Sequence, residues 1–393
     1  MRNQKHIIDL LKHFVEIGPP GCALTISHKG KVVFEHYEGL ADRENGIPIT
    51  PNTVYRMYSC TKPLTVAAAM ILYERGKFLL SDPVEKYLPC FADAKYYRYN
   101  GASTTEVVPC KNPITIRSLM NMTCGIPYGG NNNRTEQDIA AIGAFGPASP
   151  KTLQDFVKEL SQVPLMFEPG THYVYGYGCD ILGAVIEAVS NKSLGEFMKD
   201  EIFAPLGMNH TGFFLNEEMR KNLAALYVVQ DDGTLVADSS RDGAFEESSL
   251  FESGGAGLLS TIGDMTRFSQ TMAMGGELEG VRILAPHTIN LIRQDHLQGM
   301  ARTDFDEVTR RVWPNMLGYS FGLACRTLVD PAAAGSCSMH EFAWSGAAGT
   351  WCLIDPDRQI SAEYAHQLFP SSRNMQDYCH PRLRNAIYGA IID

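Results

Sequence analysis

The most constraining feature of this sequence lies at residues 57–74, MYSCTKPLTVAAAMILYE, where a polar segment changes into a long apolar one. Pro63 has no N–H to donate to the carbonyl of Ser59, so a helix through Pro63 is predicted to begin at about Ser59 or Cys60. The continuation LTVAAAMIL is apolar on every side and must be buried. The fold is therefore predicted to carry the start of this helix into its interior.

Ser59 and Lys62 lie three positions apart, so they share one face of the predicted helix. In one interpretation Ser59 caps the helix and Lys62 is a solvated first-turn residue. In the other they are a nucleophile and its base: burial is expected to favour the neutral amine of Lys62, which can then accept the serine proton. The pattern S-x-x-K is weak evidence for catalysis by itself. Other segments of the chain are needed to choose between the two interpretations.

Composition excludes several classes of protein. A chain of 393 residues with 45% hydrophobic residues can bury a large core, as two to three domain-sized units or as one large domain with an insertion. The formal net charge of −10 argues against a nucleic-acid surface. No apolar run reaches 18 residues, so no membrane span is predicted.

The first 21 residues, MRNQKHIIDLLKHFVEIGPPG, place charged side chains among apolar ones, which is typical of a short amphipathic helix and not of a signal peptide. We therefore expect a cytoplasmic location, provided that no export signal has been removed.

The ten cysteines form no C-x-x-C pair and no close His/Cys spacing, so neither a metal site nor a disulfide framework is predicted.

The two ends of the chain carry the strand patterns. GCALTISHKGKVVFEHYEGLAD alternates on both sides of a tight turn and predicts a β-hairpin, and GYSFGLACRTLV, MHEFAWSG, AGTWCLID and QISAEYAHQL predict further strands after Pro314. We expect an α+β fold in which these strands form one antiparallel sheet, flanked by the N- and C-terminal helices. The predicted segments are 1–85 and 251–393 for the sheet domain, with an inserted, mostly helical domain at 86–250.

A segment of small residues inside that insertion, GIPYGGNNNRTEQDIAAIGAFGPASP, has the composition of a mobile surface loop and is a candidate lid or substrate wall. Two other segments stand out. FEPGTHYVYGYGCDILGAVIEAVS leads a run of aromatics into an apolar helix, and FAWSGAAGTWCLIDP is a strand whose small residues let something approach its backbone closely. Taken separately, the first is interpreted as a set of core or lid aromatics, and the second as a strand kink or a packed strand crossing.

Taken together and in this order, the segments resemble the serine β-lactamase and penicillin-binding-protein superfamily, most closely the class C-like branch that includes the family VIII carboxylesterases. The resemblance covers almost the whole chain and includes VYRMYSCTKPLTVAAAMILYERGKFLLSDPVEKYLP, ITIRSLMNMTCGIP and SGGAGLLSTIGDMTRFSQTMAMGGELEGVRIL. It implies catalysis through an acyl-enzyme, with no metal and no organic cofactor.

The resemblance implies roles for individual residues. Ser59 becomes the acylated nucleophile and Lys62 the amine that helps to deprotonate it. The motif Y-S-x-x-x-D-x-L-G places the catalytic tyrosine at Tyr175, because Tyr175 and not Tyr173 or Tyr177 keeps its spacing to the downstream Asp and Gly. The Tyr175 phenol would share protons with Ser59 and Lys62 and protonate the leaving group.

The third motif falls on Trp344, Ser345 and Gly346, and the resemblance implies that the backbone N–H of Ala347 joins that of Ser59 in an oxyanion hole. Two departures from the family pattern bear on the substrate. Tyr177 replaces the asparagine that binds a substrate amide in β-lactamases and D,D-peptidases, and Trp344 replaces the lysine or histidine that attracts the substrate carboxylate. With Ser345 and Gly346, both are expected to contact substrate, and they favour an apolar acyl or aryl ester.

The sequence therefore predicts a serine hydrolase, a carboxylesterase acting on small or medium apolar or aryl esters. β-Lactamase or D-amino-acid peptidase or amidase activity, and acyl transfer from the same acyl-enzyme, remain alternatives. A more distant alternative is an inactive binding protein on the same fold. The oligomeric state and the natural ester are left open.

A Ser-His-Asp hydrolase is disfavoured because the chain has no G-x-S-x-G and none of its eleven histidines lies in a catalytic motif. His366 is a candidate for lining the pocket, although a core or surface place is favoured. Cys60 is expected to point away from Lys62 and to serve packing.

Overall fold

The computed structural model describes residues 2, 4–99, 105–143, 151–370 and 373–391. Its strands, in chain order, are β1 (Gly21–His28), β2 (Lys31–Asp42), β3 (Ile47–Pro48), β4 (Val54–Arg56), β5 (Lys95–Tyr99), β6 (Thr105–Pro109), β7 (Tyr227–Val229), β8 (Leu235–Ala237), β9 (Leu259–Thr261), β10 (Glu277–Leu278), β11 (Val281–Arg282), β12 (Tyr319–Phe321), β13 (Arg326–Leu328), β14 (Phe342–Ala343), β15 (Trp351–Asp355) and β16 (Ile360–Ala365).

The α-helices, in chain order, are α1 (Gln4–Ile17), α2 (Thr61–Glu74), α3 (Ile116–Met120), α4 (Arg134–Ile142), α5 (Leu153–Leu160), α6 (Gly178–Ser190), α7 (Leu194–Met198), α8 (Ala204–Leu206), α9 (Glu217–Lys221), α10 (Ile262–Ala273), α11 (Pro286–Ile292), α12 (Gly299–Arg311), α13 (Pro331–Ala334) and α14 (Arg373–Ala390). Among the described helices, none is both long enough and apolar enough to cross a bilayer.

One antiparallel sheet organises the described chain. Its eight strands follow the order β12-β13-β14-β15-β16-β1-β2-β3, so the N-terminal hairpin lies directly beside the C-terminal strands. β1 pairs with β2 on one side and with β16 on the other. The predicted α+β fold, with a single sheet assembled from both ends of the chain, is confirmed.

The sheet is covered on both faces, which explains why seven of the eight residues of β1 are buried. Leu24 and Ile26 point into a core with Leu11 of α1 and Leu383 of α14. On the opposite face, α10 packs against β1, β15 and β16. The terminal helices thus cover one face of the sheet as expected, while a helix from within the chain covers the other.

The middle of the chain is mostly helical, as predicted, but it contains two hairpins that the sequence did not reveal. The hairpins are β5–β6 and β7–β8. The side chains of β5 and β6 are exposed or partly exposed on both faces, and β7 and β8 are only three residues long, so no clear apolar-polar alternation marks either hairpin. All strands of the large sheet come from the outer two predicted segments, and the boundaries at 85 and 250 stay predictions.

The segment predicted as a loop or lid begins as an irregular stretch and then forms α4. Asn133 caps this helix by accepting a hydrogen bond from the Glu136 N–H. Residues 144–150 of the segment lie outside the described residues.

Candidate active site

The buried helix of the S-x-x-K segment forms as predicted. A 3-10 turn over Tyr58–Cys60 leads directly into α2, so the observed start lies within two residues of the predicted one. Every residue of α2 from Thr61 to Leu72 is buried. Ser59 is partly exposed whereas Lys62 is fully buried, so the serine lies where the interior meets solvent.

The residue before the serine has an unusual backbone conformation. Tyr58 has φ +44°, in the left-handed region that non-glycine residues rarely adopt. Its ring is held between Phe245 and Phe369, with centroid distances of 6.2 and 5.4 Å. Such strain, of the order of 1–3 kcal/mol, persists only where surrounding contacts enforce it. These contacts therefore fix the turn that presents Ser59.

The Lys62 amine makes three hydrogen bonds inside the protein. Its Nζ lies 3.2 Å from Ser59 Oγ, 2.9 Å from the Tyr128 hydroxyl and 2.8 Å from the Gly255 carbonyl oxygen. A carbonyl oxygen can only accept, and an ammonium group has three N–H donors and no acceptor. The arrangement therefore matches the protonated amine.

This finding corrects the sequence-based expectation that burial makes Lys62 neutral. Burial does act to lower the pKa of Lys62, but the neighbouring Tyr128 and Tyr175 phenol groups outweigh it, and the net pKa lies above its usual value. Burial also raises the pKa of Tyr128 well above the usual value, although Lys62 opposes this shift. At neutral pH the resting pair is thus an ammonium and a neutral phenol, and the two titrate as a coupled unit.

Tyr175, the predicted catalytic tyrosine, lies in the same cluster but presents its ring to the lysine. Lys62 Nζ is 4.6 Å from the Tyr175 ring centroid. The Tyr175 hydroxyl accepts a hydrogen bond of 2.8 Å from the indole Nε1–H of Trp344. Because that bond occupies an acceptor position, the phenol keeps its own O–H for donation.

The hydroxyl that contacts Lys62 belongs to Tyr128, which sequence reasoning missed. Tyr128 lies in the GIPYGG stretch that was interpreted only as the start of a loop or lid. Its ring packs edge to face against both Tyr175 and Tyr177, with centroid distances of 5.6 and 4.6 Å. The available signal was a single tyrosine, preceded by a proline and followed by two glycines, in a segment predicted to be a lid or substrate wall.

The third motif lies against the serine turn. The Thr350 Oγ1 donates to the Met57 carbonyl at 3.0 Å, and a Cβ on Gly346 would collide with that same carbonyl oxygen. Ser345 is buried, whereas Ala347 is partly exposed, as is Ser59. The glycine thus permits the close approach that brings the Ala347 segment beside the turn that presents Ser59.

The predicted substrate-contacting residues differ in exposure. Trp344 is 2% exposed and Tyr177 is 3% exposed, and the Tyr177 ring packs between Tyr128 and Phe156. Trp313, partly exposed and not singled out in the sequence, packs edge to face on Tyr175 at 5.4 Å. Their contact with substrate stays a prediction, and the aromatic wall extends beyond the residues expected.

Two residues weighed as alternatives occupy core positions. His366 is fully buried, its Nδ1 lies 3.0 Å from the Tyr364 hydroxyl, and its ring packs under Gly349. Cys60 is buried, and its Sγ lies 3.8 Å from the Trp344 carbonyl oxygen. All ten cysteines are free thiols.

Several known proteins are similar to this chain over most of its length. A family model described as Beta-lactamase matches residues 7–378. Esterase EstB of Burkholderia gladioli is 29% identical over 361 residues, which cover 85% of this chain and 82% of EstB.

Two solved structures resemble the whole chain. EstCE1, a hydrolase with promiscuous acyltransferase activity, has a TM-score of 0.80 at 25% identity and covers 98% of both chains. Simvastatin synthase LovD of Aspergillus terreus has a TM-score of 0.83 at 22% identity, again over 98% of both chains, and supports the fold alone. With the family model matching nearly the full length, this chain belongs to the Beta-lactamase family.

Proposed function

We propose that the protein is a carboxylesterase that works through an acyl-enzyme on Ser59. The observation that carries the proposal is the hydrogen bond between Ser59 Oγ and a buried Lys62, within a cluster that also holds two tyrosines. A partly exposed hydroxyl beside a buried proton-transfer group is the arrangement that nucleophilic catalysis requires. The esterase relative supports the reaction class.

The proposed reaction begins with proton removal from Ser59. Because the resting Lys62 is an ammonium, the active form is proposed to be the one in which the Lys62–Tyr128 pair has lost one proton. That form takes the Ser59 proton as Oγ attacks the ester carbonyl. The N–H groups of Ser59 and Ala347 are proposed to stabilise the oxyanion.

The second half of the reaction transfers the proton to the leaving group. Tyr175, whose oxygen already accepts from Trp344, is proposed to give its proton to the departing alkoxide. Water then attacks the acyl-enzyme and gives one proton to the cluster, which passes a proton to Ser59 Oγ as the bond between Oγ and the acyl carbon breaks. Each acylation and deacylation cycle thus consumes one ester and one water and returns the enzyme to its starting protonation state.

An ester is favoured over a β-lactam because the third motif carries an aromatic residue in place of a cation. Trp344 is buried and has no charge to attract a substrate carboxylate. Its one side-chain N–H donates to the Tyr175 hydroxyl and is not available to a substrate. With Trp313 and Tyr175, it forms an apolar wall suited to an acyl or aryl group. Because the similar hydrolase EstCE1 has promiscuous acyltransferase activity, acyl transfer to an alcohol is a second candidate.

A substrate panel tests this proposal. Nitrophenyl esters of increasing acyl length, the cephalosporin nitrocefin and a D-alanyl dipeptide are compared by kcat/KM under identical conditions. The proposal expects the esters to be turned over fastest. Faster turnover of nitrocefin or of the dipeptide would contradict the ester assignment, and an added alcohol that raises the release of the nitrophenol while forming a new ester would favour acyl transfer.

A further inference from the structure

The buried lysine of the active site needs a compensating negative charge, because an isolated ammonium is costly to bury. Lys62 is fully buried, and its three hydrogen-bond partners, Ser59, Tyr128 and the Gly255 carbonyl, are all neutral groups in the resting state. A carboxylate that offsets the ammonium charge would have to act without a direct contact to Nζ.

Asp180 is a buried carboxylate that lies close enough to Lys62 to offset its charge without touching it. It lies in the first turn of α6, five residues after Tyr175, and is fully buried. Its Oδ1 accepts hydrogen bonds from the Ser253 hydroxyl at 2.5 Å and from the Gly255 backbone N–H at 3.2 Å. The carbonyl of that same Gly255 accepts from Lys62 Nζ at 2.8 Å. One residue therefore joins the carboxylate to the ammonium.

The local sequence is adapted to this connection. A Cβ on Gly254 would collide with the Cys179 carbonyl oxygen, and a Cβ on Gly255 would lie against the Asp180 carboxylate and the Tyr128 hydroxyl. The SGG sequence at 253–255 thus allows the loop to pack directly on the start of α6. The Gly254 carbonyl accepts from Thr65 Oγ1 at 2.7 Å, which fixes the loop to α2 as well.

We propose that Asp180 is the buried counter-charge of Lys62 and a positioning residue for it, acting through Gly255. This inference rests on the proposed acyl-enzyme chemistry for its catalytic consequence, but the charge coupling itself does not. With Asp180 ionised, the Gly255 carbonyl stays directed at Nζ and the ammonium is held beside Ser59. Removing the charge is expected to destabilise the ammonium and to loosen its position.

Several titratable and polar groups surround the pair, and any pH effect has to be interpreted against them. Those facing Lys62 are Ser59, Tyr128, Tyr175, Cys179 and Asp180. Those facing Asp180 are Ser253, Lys62, Tyr128, Tyr177 and Cys179. Burial raises the pKa of Asp180, while Ser253, Lys62 and the Gly255 N–H act to lower it.

A double-mutant cycle on melting temperature tests the coupling without any need for turnover. Lys62→Met and Asp180→Asn are each expected to lower the melting temperature, because each leaves one uncompensated buried charge. The double variant is expected to lose at least about 2 °C less than the sum of the single losses. Additive losses, or a silent Asp180→Asn, would overturn the proposal.

Asp264 offers a matched control. It is also a buried carboxylate that accepts from a backbone N–H, of His210, and from a hydroxyl, of Thr211. Asp264→Asn combined with Lys62→Met is expected to give additive losses. The same non-additivity there would show a general effect of removing buried acids, and would overturn a specific link to Asp180.

The pH–rate profile supplies the readout that a merely structural role would not move. Asp180→Asn is expected to shift the rise of kcat/KM with pH to lower pH, because the ammonium loses its stabilising charge. Ser253→Ala removes a neutral hydrogen-bond partner of the Asp180 carboxylate and is expected to shift the rise of kcat/KM by less. A reduced rate with an unmoved profile would overturn the counter-charge role. If no ester is turned over at all, the proposed function fails while the stability cycle still decides the coupling.

Discussion

Two buried cationic clusters lie near strand β14, and they differ in what their cations contact. In the active-site cluster, Lys62 bonds to a partly exposed serine hydroxyl. In the second cluster, between the sheet and α14, Arg384 bonds to the Tyr319 hydroxyl at 2.5 Å and to the Ala334 carbonyl at 2.9 Å. Tyr319 in turn donates to Glu341, which is fully buried.

A buried cation is expected to belong to a catalytic site only when it reaches a reactive group that is open to solvent. The Arg384 cluster ties α14 to the sheet through carbonyl, phenol and carboxylate partners, and the guanidinium does not lose its proton in proteins. The Lys62 cluster contains an amine and phenols, which are groups that can exchange protons. We therefore expect the Arg384 cluster to serve stability and the Lys62 cluster to serve chemistry.

The largest effect is expected at the nucleophile and its amine. Ser59→Ala should abolish ester turnover, and Lys62→Met should lower kcat/KM by about 10⁴-fold or more, because neither the attack nor the proton transfer has a substitute. Steady-state kinetics on a nitrophenyl ester measure this. Retained turnover in Ser59→Ala, with far-UV circular dichroism unchanged from wild type, would remove Ser59 from its role.

The two tyrosines should be separable by leaving group. Tyr175→Phe is expected to lower kcat/KM by about 10²- to 10⁴-fold for alkyl esters, which need a proton on the leaving oxygen, and by less for nitrophenyl esters, which leave readily as anions. Tyr128→Phe, which acts through Lys62, should affect both kinds of ester alike. The reverse pattern would exchange the two roles.

Arg384→Met should show the opposite behaviour to Lys62→Met. Removing this guanidinium takes away one of the two buried cations, Arg326 and Arg384, that act on Glu341, together with a donor to Tyr319, which is expected to cost up to about 3–5 kcal/mol in the free energy of unfolding. The folded variant should keep kcat/KM within a few-fold of wild type. Urea denaturation and kinetics on the same preparation check both parts, and a large loss of kcat/KM with unchanged stability would contradict the division.

The smallest effect concerns a buried acid of the sheet. Burial raises the pKa of Glu363 to about 8 from an ordinary value of 4.5. Between these values the unfolded chain loses the proton while the folded chain keeps it, so stability should fall by about 3 kcal/mol from pH 5 to pH 8. Glu363→Gln should remove this decline, and an unchanged decline in the variant would assign it to other groups.

At acidic pH the dependence is reversed, and the free energy of unfolding should fall as the pH falls. Burial lowers the pKa of His366 to about 3 from 6.5. Below pH 6.5 this histidine is therefore protonated in the unfolded chain while it stays neutral in the folded chain. Stability should therefore fall between pH 6.5 and 3, in wild type and in Glu363→Gln alike. Thermal melts across this range provide the control for the Glu363 measurement.

Much of this arrangement could be predicted from the sequence where patterns are local. The alternation of GCALTISH and the apolar run after Pro63 indicated the sheet and the buried α2 correctly, because periodicity and proline geometry act within a few residues. The family resemblance predicted that Ser59, Lys62 and Tyr175 lie in one cluster, and the structure places them together.

What could not be predicted depends on contacts distant in the chain. Tyr128 and Gly255 reach Lys62 from 66 and 193 positions away, and no local pattern reveals such partners. The protonated state of Lys62 was misjudged for the same reason: burial was visible in the sequence, but the oxygen atoms that outweigh it were not.

The proposal that Ser59 carries the acyl group is tested most directly by the intact mass of the protein after rapid mixing with a short-chain nitrophenyl ester and acid quenching. We predict an increase equal to one acyl group, located by peptide mapping on the peptide that contains Ser59 and absent in Ser59→Ala. An acyl adduct on another residue, or ester turnover with no adduct in wild type and full turnover in Ser59→Ala, would contradict the account.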